Sequence, residues 1–165
     1  MSRFSLLFLV GIALILQSTV LHFVQVAGVK PDLILVLVVI HAILNGPRKG
    51  AFLGFMAGLL QDLLTGYFVG LNAISKALIG GLVGLGQYNI YKDNVLIIGV
   101  IGFGATLGAE AINYFLLLVL GVEIALREVL LRLLIPLGFY NAAVTVLVFR
   151  PYYHHISNKN MLRHL

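Results

Sequence analysis

The sequence predicts an all-α protein, an integral membrane bundle of about six transmembrane helices. The composition is 61% hydrophobic and only 10% charged. Mean hydropathy is +1.06. Apolar stretches follow one another along the chain, separated by short polar turns. A soluble domain carries about 25% charged residues, so this chain has too few charges to cover a water-facing surface. That excludes a soluble enzyme, a secreted domain and a disordered chain. A span takes roughly 20 apolar residues, so 165 residues hold about six spans and no separate extramembrane domain. Cysteine is absent, which removes disulfides, thiolate metal sites and cysteine nucleophiles. The net charge of +5 fits basic loops on the cytoplasmic side of a membrane. No basic run dense enough for nucleic acid occurs.

The first span is expected over Phe4–Val24. Arg3 before the apolar run imitates a signal peptide, but no small-residue cleavage site follows, so the segment reads as an uncleaved span. Gln25–Asp32 is a loop, and Leu33–Leu44 forms a short second span. Asn45-Gly46-Pro47-Arg48-Lys49 is a turn with a Gly-Pro breaker. The third span covers Gly50–Leu64, Thr65–Leu71 turns, and the fourth covers Asn72–Tyr88. The fifth covers Val95–Leu120 after the polar turn Asn89–Asn94. The sixth covers Val129–Phe149, with a kink expected at Pro136. Residues 1–149 thus make a six-span domain, and residues 150–165 a short cytoplasmic tail. Spans two to four are short for a hydrocarbon core of about 30 Å. Either they lean within the bundle or one of them is discontinuous.

Basic residues set the orientation. With six spans and a cytoplasmic N-terminus, Arg3, Arg48, Lys49, Lys92, Arg150, Lys159 and Arg163 lie inside. Lys30, Arg127, Lys76 and Arg132 belong to the other half, which places both termini in the cytoplasm. Tyr88, Tyr91, Tyr152 and Tyr153 then fall at the inner interface, and His22, Phe23, Tyr67 and Phe68 at the outer one.

Two constellations stand out. The first is a set of small-residue stripes: Gly50, Gly54 and Gly58 in the third span, Ala77/Gly81 and Gly80/Gly84 in the fourth, Gly104/Gly108 and Ala105/Ala109 in the fifth. Without side chains, helix backbones approach closely. The stripes read as packing inside the bundle, with docking onto another protein's helix as the alternative. The second is a set of ionisable residues at span depth, Asp62, Lys76, Glu110 and Arg132, each costly unless paired. Asp62 and Lys76 lie seven residues either side of Val69, and Glu110 and Arg132 eleven either side of Gly121. Antiparallel hairpins then predict two ion pairs, Asp62–Lys76 and Glu110–Arg132, with Glu128 as a rival partner for Arg132. Such pairs would fix how hairpins dock; partner binding and ion or solute transport are the alternatives. Gln17, Asn72, Asn113 and Asn141 are amides expected to join helices by hydrogen bonds. No catalytic motif and no metal-ligand spacing is present, so no enzyme activity and no cofactor are expected.

Lys30-Pro31-Asp32-Leu33, Gly46-Pro47-Arg48-Lys49-Gly50, Gly54-Phe55-Met56-Ala57-Gly58-Leu59-Leu60-Gln61-Asp62, Gly66 and Gly70-Leu71-Asn72-Ala73 together resemble the rod shape-determining MreD family. The resemblance is specific over about Lys30 to Gly84. It implies a component of the bacterial inner membrane, multi-pass and non-enzymatic. Its implied role is as a scaffold of the cell-elongation machinery that binds MreC and helps to maintain rod shape by controlling peptidoglycan synthesis. RodA with its partner transpeptidase, and MreB, are further implied associates. It also implies a fold resembling the substrate-binding membrane subunits of energy-coupling-factor transporters, which makes a vitamin-like solute carrier the rival function. The Ala-x-x-x-Ala stripe such subunits carry on their first span is absent here: Gly11 is followed four residues later by Ile15, and Ala13 by Gln17.

Overall fold

The computed structural model describes residues 3–19, 29–66, 68–92, 94–122 and 134–161. Six helices account for almost all of them: α1 (Arg3–Thr19), α2 (Leu33–Asn45), α3 (Pro47–Thr65), α4 (Leu71–Leu85), α5 (Val95–Val119) and α6 (Ile135–Met161). Among the described helices, α5 alone is long and apolar enough to cross a membrane by itself.

Successive helices alternate in direction. Gln17 near the end of α1 meets Pro31 and Asp32 ahead of α2, so α1 and α2 are antiparallel. Gly102 packs on Thr145 and Ala142, and Gly138 on Phe103, so α5 and α6 are antiparallel too. The end that holds the α2–α3 turn and the start of α5 therefore also holds Arg150 of α6.

α2 is the centre of the bundle. Ile34, Leu35, Val36, Val38, Val39, Ile40, Ala42 and Ile43 are buried, and the helix touches all five others. That explains its shortness. Thirteen residues rise only about 20 Å, but a helix wrapped by its neighbours need not span a lipid core alone. Its hydrophobic residues point in every direction because apolar neighbours do as well. One cluster unites α2 with Ile79, Ile98, Ala105, Ala109 and Phe149, and a second unites it with Val10, Ala13, Leu14, Leu53 and Ala57.

α3 and α4 form the tightest pair, and glycine is the reason. An added Cβ at Gly50 would lie 2.5 Å from the Gly80 carbonyl oxygen. One at Gly54 would strike the carbonyl of Lys76, and one at Gly58 the carbonyl of Asn72. One at Gly84 would lie 2.5 Å from the backbone of Pro47. The stripes of α3 and the Gly80/Gly84 stripe of α4 are thus intramolecular packing surfaces. In α5, Ala105 and Ala109 are buried and a Cβ on Gly108 would press on Ile79, whereas Gly104 has nothing within 4 Å.

The turns follow the residues that punctuate the sequence. Gly46, at φ 89°, separates α2 from α3, with Pro47 in the first turn of α3. Proline suits that position because its missing N–H has no helical partner there. Asn94 caps α5 through its side chain to the amides of Leu96 and Ile97. The kink expected at Pro136 falls at the edge of the described residues: α6 is described from Ile135, and residues 123–133 lie outside them. The proline inside α6 is Pro151, and the helix continues to Met161 across the segment read from sequence as a tail.

The glycine contacts predict graded damage. Gly54→Ala puts a methyl against backbone that cannot yield and should cost about 1–3 kcal/mol. Gly81→Ala, whose Cβ would have only the Ala51 side chain at 3.7 Å, should be neutral or gain helix stability. Thermal melting of the purified protein checks both; equal melting of Gly54→Ala and wild type would refute the close contact.

Candidate functional site

Asp32 stands immediately before α2, where its carboxylate accepts from the Leu35 amide at 3.0 Å. An acidic residue before an apolar run suits a helix N-terminus, where amides lack partners and the dipole favours negative charge. The same carboxylate does more. Gln17 Nε2 of α1 donates to Oδ1 at 3.0 Å. Lys76 Nζ of α4 pairs with Oδ2 at 2.7 Å. The Asp32 amide donates to Asn141 Oδ1 of α6 at 2.8 Å. Asn141 Nδ2 donates to Thr106 Oγ1 of α5 at 3.1 Å, and Thr106 in turn donates to the Gly102 carbonyl.

On the other side of Lys76 the chain of contacts reaches α3. Lys76 Nζ donates to Asn72 Oδ1 at 2.6 Å. Asn72 Nδ2 donates to Asp62 Oδ1 at 2.8 Å. The amide group of Asn72 is therefore fixed in orientation, acceptor toward the ammonium and donor toward the carboxylate. Asp62 also accepts from the backbone amides of Gly70 at 2.9 Å, Asn72 at 3.2 Å and Ala73 at 3.1 Å. It caps α4 from a different helix, since Gly70 at the N-cap has no side chain to do so.

One connected polar network thus takes a member from each of the six described helices: Gln17, Asp32 at the head of α2, Asp62, Asn72 with Lys76, Thr106 and Asn141. Asp62, Lys76, Thr106 and Asn141 are each 1% exposed or less. Buried polar groups that satisfy one another specify a single arrangement, because any other leaves one of them unpaired.

The expected Asp62–Lys76 ion pair is corrected. Lys76 pairs with Asp32, and Asp62 reaches it only through Asn72. The register explains why. Gly50 lies against Gly80, Gly54 against Lys76 and Gly58 against Asn72, so the next step along α3 sets Asp62 opposite the loop before α4. α3 overshoots the start of α4, so the amides of Gly70, Asn72 and Ala73 meet the Asp62 carboxylate. The four acceptor positions of the Asp62 carboxylate are already filled by four N–H groups. The Glu110–Arg132 pair cannot be placed, because Arg132 lies outside the described residues. Glu110 lines the cleft beside the network, together with Asp32 and Asn72.

Of the four amides singled out, Gln17, Asn72 and Asn141 do join helices, while Asn113 Oδ1 is buried without a partner among the described residues. Sequence reasoning missed Asp32 as a site residue, although the Asp before the apolar run Leu33–Leu44 is an N-cap signal. It also missed Thr106, which nothing but its polarity within an apolar span marks.

Beside the network opens a cleft of about 340 Å³. Gln17, Asp32, Gln61, Asn72 and Glu110 contribute to its walls, with Leu14, Leu64 and Leu137 as the apolar part. Gln17 Oε1 and Gln61 Oε1 are buried and without hydrogen-bond partners among the described residues.

The centre of the network, Asp32, Asp62, Asn72 and Lys76, lies in the stretch whose motifs carry the family resemblance, and a family comparison extends that likeness. The family model described as rod shape-determining protein MreD matches residues 1–156. The chain belongs to the MreD family. It is therefore a rod shape-determining bacterial membrane protein, of a family that is structural rather than enzymatic in kind. Comparison with curated proteins and with solved structures gave no match.

Within this MreD family member, the network predicts which charges are coupled. Lys76→Met or Asp32→Asn alone should each cost about 3–5 kcal/mol, because the remaining charge stays buried. The double variant should recover a large part of that loss. Asn72→Asp should be as damaging as a single change, since it removes the donor to Asp62. Melting of the four proteins forms a double-mutant cycle; additive losses for Asp32 and Lys76 would sink the pair.

Proposed function

We propose that the protein is a non-enzymatic scaffold of the cell-elongation machinery in the bacterial inner membrane. In this reading it binds MreC and thereby helps to control peptidoglycan synthesis. RodA with its partner transpeptidase, and MreB, are its wider associates. The observation that carries the reading is the closed network. The carboxylates of Asp32 and Asp62, the ammonium of Lys76 and the Asn72 amide are spent on holding helices to one another, which leaves no nucleophile–base arrangement among them. What the bundle offers outward is apolar: Phe52, Phe55, Leu63, Leu96, Val100 and Phe115 are exposed. A rigid apolar surface suits a single-span partner, because helices in lipid associate through shape and close packing. Gly50, Gly54, Gly58, Asp62, Asn72, Lys76, Glu110 and Arg132 are the residues proposed to set that shape.

In this reading both termini lie in the cytoplasm. Arg48, Lys49, Lys92 and Arg150 fall at one end of the bundle and Lys30 at the other, as the positive-inside rule requires.

The test is co-purification. Tagged protein should retain MreC after detergent extraction, and should restore rods to a rod-shaped bacterium depleted of its own MreD. Lys76→Met should leave round cells with little retained MreC. Full rescue by Lys76→Met would separate the network from function.

A second reading draws on the cleft of about 340 Å³, which has the volume for a small solute. It makes the protein a vitamin-like carrier subunit. Mass spectrometry of purified protein decides: a stoichiometric organic ligand supports the carrier, and retained MreC without one supports the scaffold.

The topology is tested with introduced cysteines, since the chain has none. Asn89→Cys should react only after the membrane is breached, and Val69→Cys should react in intact spheroplasts. The reverse pattern would invert the orientation.

A further inference from the structure

At the basic end of the bundle, away from the network, a second cleft of about 180 Å³ opens between the start of α5 and α6. Its floor is apolar: Ile98 and Phe149 are 1% and 3% exposed and belong to the core. Its mouth carries two cations, Lys92 just before α5 and Arg150 on α6. The Tyr153 ring, stacked on Phe149 with centroids 5.5 Å apart, forms one side. Among the described residues the one ion pair is Lys76–Asp32, so neither cation is neutralised there by a described carboxylate. Asp93, next to Lys92 in sequence, lies outside the described residues.

The depth of the cleft is marked independently. Tyr88 and Tyr91, in the connection leading to α5, are 89% and 75% exposed. Tyrosines with an apolar ring and a polar tip collect at the headgroup level of a bilayer. Arg150 presents a planar fork that matches phosphate oxygens, and Lys92 a compact point charge beside it. A ligand that satisfies both the cationic mouth and the apolar floor carries a phosphate on a hydrocarbon body.

We propose that this cleft binds an anionic lipid, its phosphate held between Lys92 and Arg150 and its first acyl carbons lying over Ile98 and Phe149. This site is separate from the contact with MreC and does not depend on it. A basic pocket between helices on the cytoplasmic side is a recurring way to hold such headgroups.

The experiment uses full-length protein in detergent with phosphatidylglycerol, phosphatidylcholine or inorganic phosphate, read by native mass spectrometry. Wild type should retain phosphatidylglycerol in preference to phosphatidylcholine. Lys92→Gln and Arg150→Gln should each lower that retention about fivefold. Arg150→Lys should restore part of it, and Lys30→Gln at the opposite end should change nothing. Val95→Trp, which narrows the cleft while keeping both cations, should lower retention as well. Because Arg150 is exposed and Lys92 lies in a connection, the variants should melt with the wild type, so lost binding is not lost folding. Equal retention of the two lipids, or equal loss in Lys30→Gln, would overturn the proposal. Displacement of bound lipid by millimolar inorganic phosphate would assign the site to a soluble phosphate and overturn the lipid assignment.

Discussion

The fold turns on where an ammonium is put. Lys76 is among the largest side chains removed almost entirely from the surface, at 1% exposure. A buried charge of that kind survives only with close acceptors, because its desolvation otherwise costs several kcal/mol. Its own helix supplies one, Asn72 a turn earlier. The other, Asp32, must come from another helix. That demand places the head of α2 against α4. It also puts the Asp32 amide within reach of Asn141 on α6, and the carboxylate within reach of Gln17 on α1. The backbone of residue 76 meanwhile abuts Gly54 of α3. One residue therefore has its main chain gripped by α3 and its side chain gripped by α2.

Much of this arrangement is written locally in the sequence. The helix order, the breaker at Gly46-Pro47, the polar turn that ends at Asn94 and the glycine stripe of α3 each rest on a few adjacent residues, and each corresponds to what the structure contains. The ion pairing is not local. Counting residues from the middle of a turn assumes that both helices leave it at the same height. Here α3 runs past the beginning of α4, so the count errs by about two helical turns. The error arises in the loop geometry, which Gly66 at φ 74° and Gly70 at φ 111° permit but which their presence does not dictate.

The stripes divide for a similar reason. Gly54 and Gly104 look alike in sequence, each beginning a small-residue pair in an apolar helix. Gly54 meets the carbonyl of Lys76, and Gly104 meets nothing within 4 Å. Periodicity reveals that a helix has a flat face; only the packing of the remaining helices decides whether that face is covered.

The distribution of polarity between the two ends of the bundle bears on the scaffold role proposed for it. At one end polar groups pair with one another and tie the six described helices into one arrangement. At the other the cations are set around an apolar cleft, facing outward. Recognition of a membrane partner through shape gains from a surface that does not rearrange, since ordering it on contact would consume binding energy. In water, hydrophobic collapse would supply that rigidity. In lipid the drive is absent, and the Asp32–Lys76–Asn72–Asp62 chain with its extension through Asn141 takes over the task. The buried charges Asp32, Asp62 and Lys76 are then best understood as the means by which the apolar exterior keeps a fixed form.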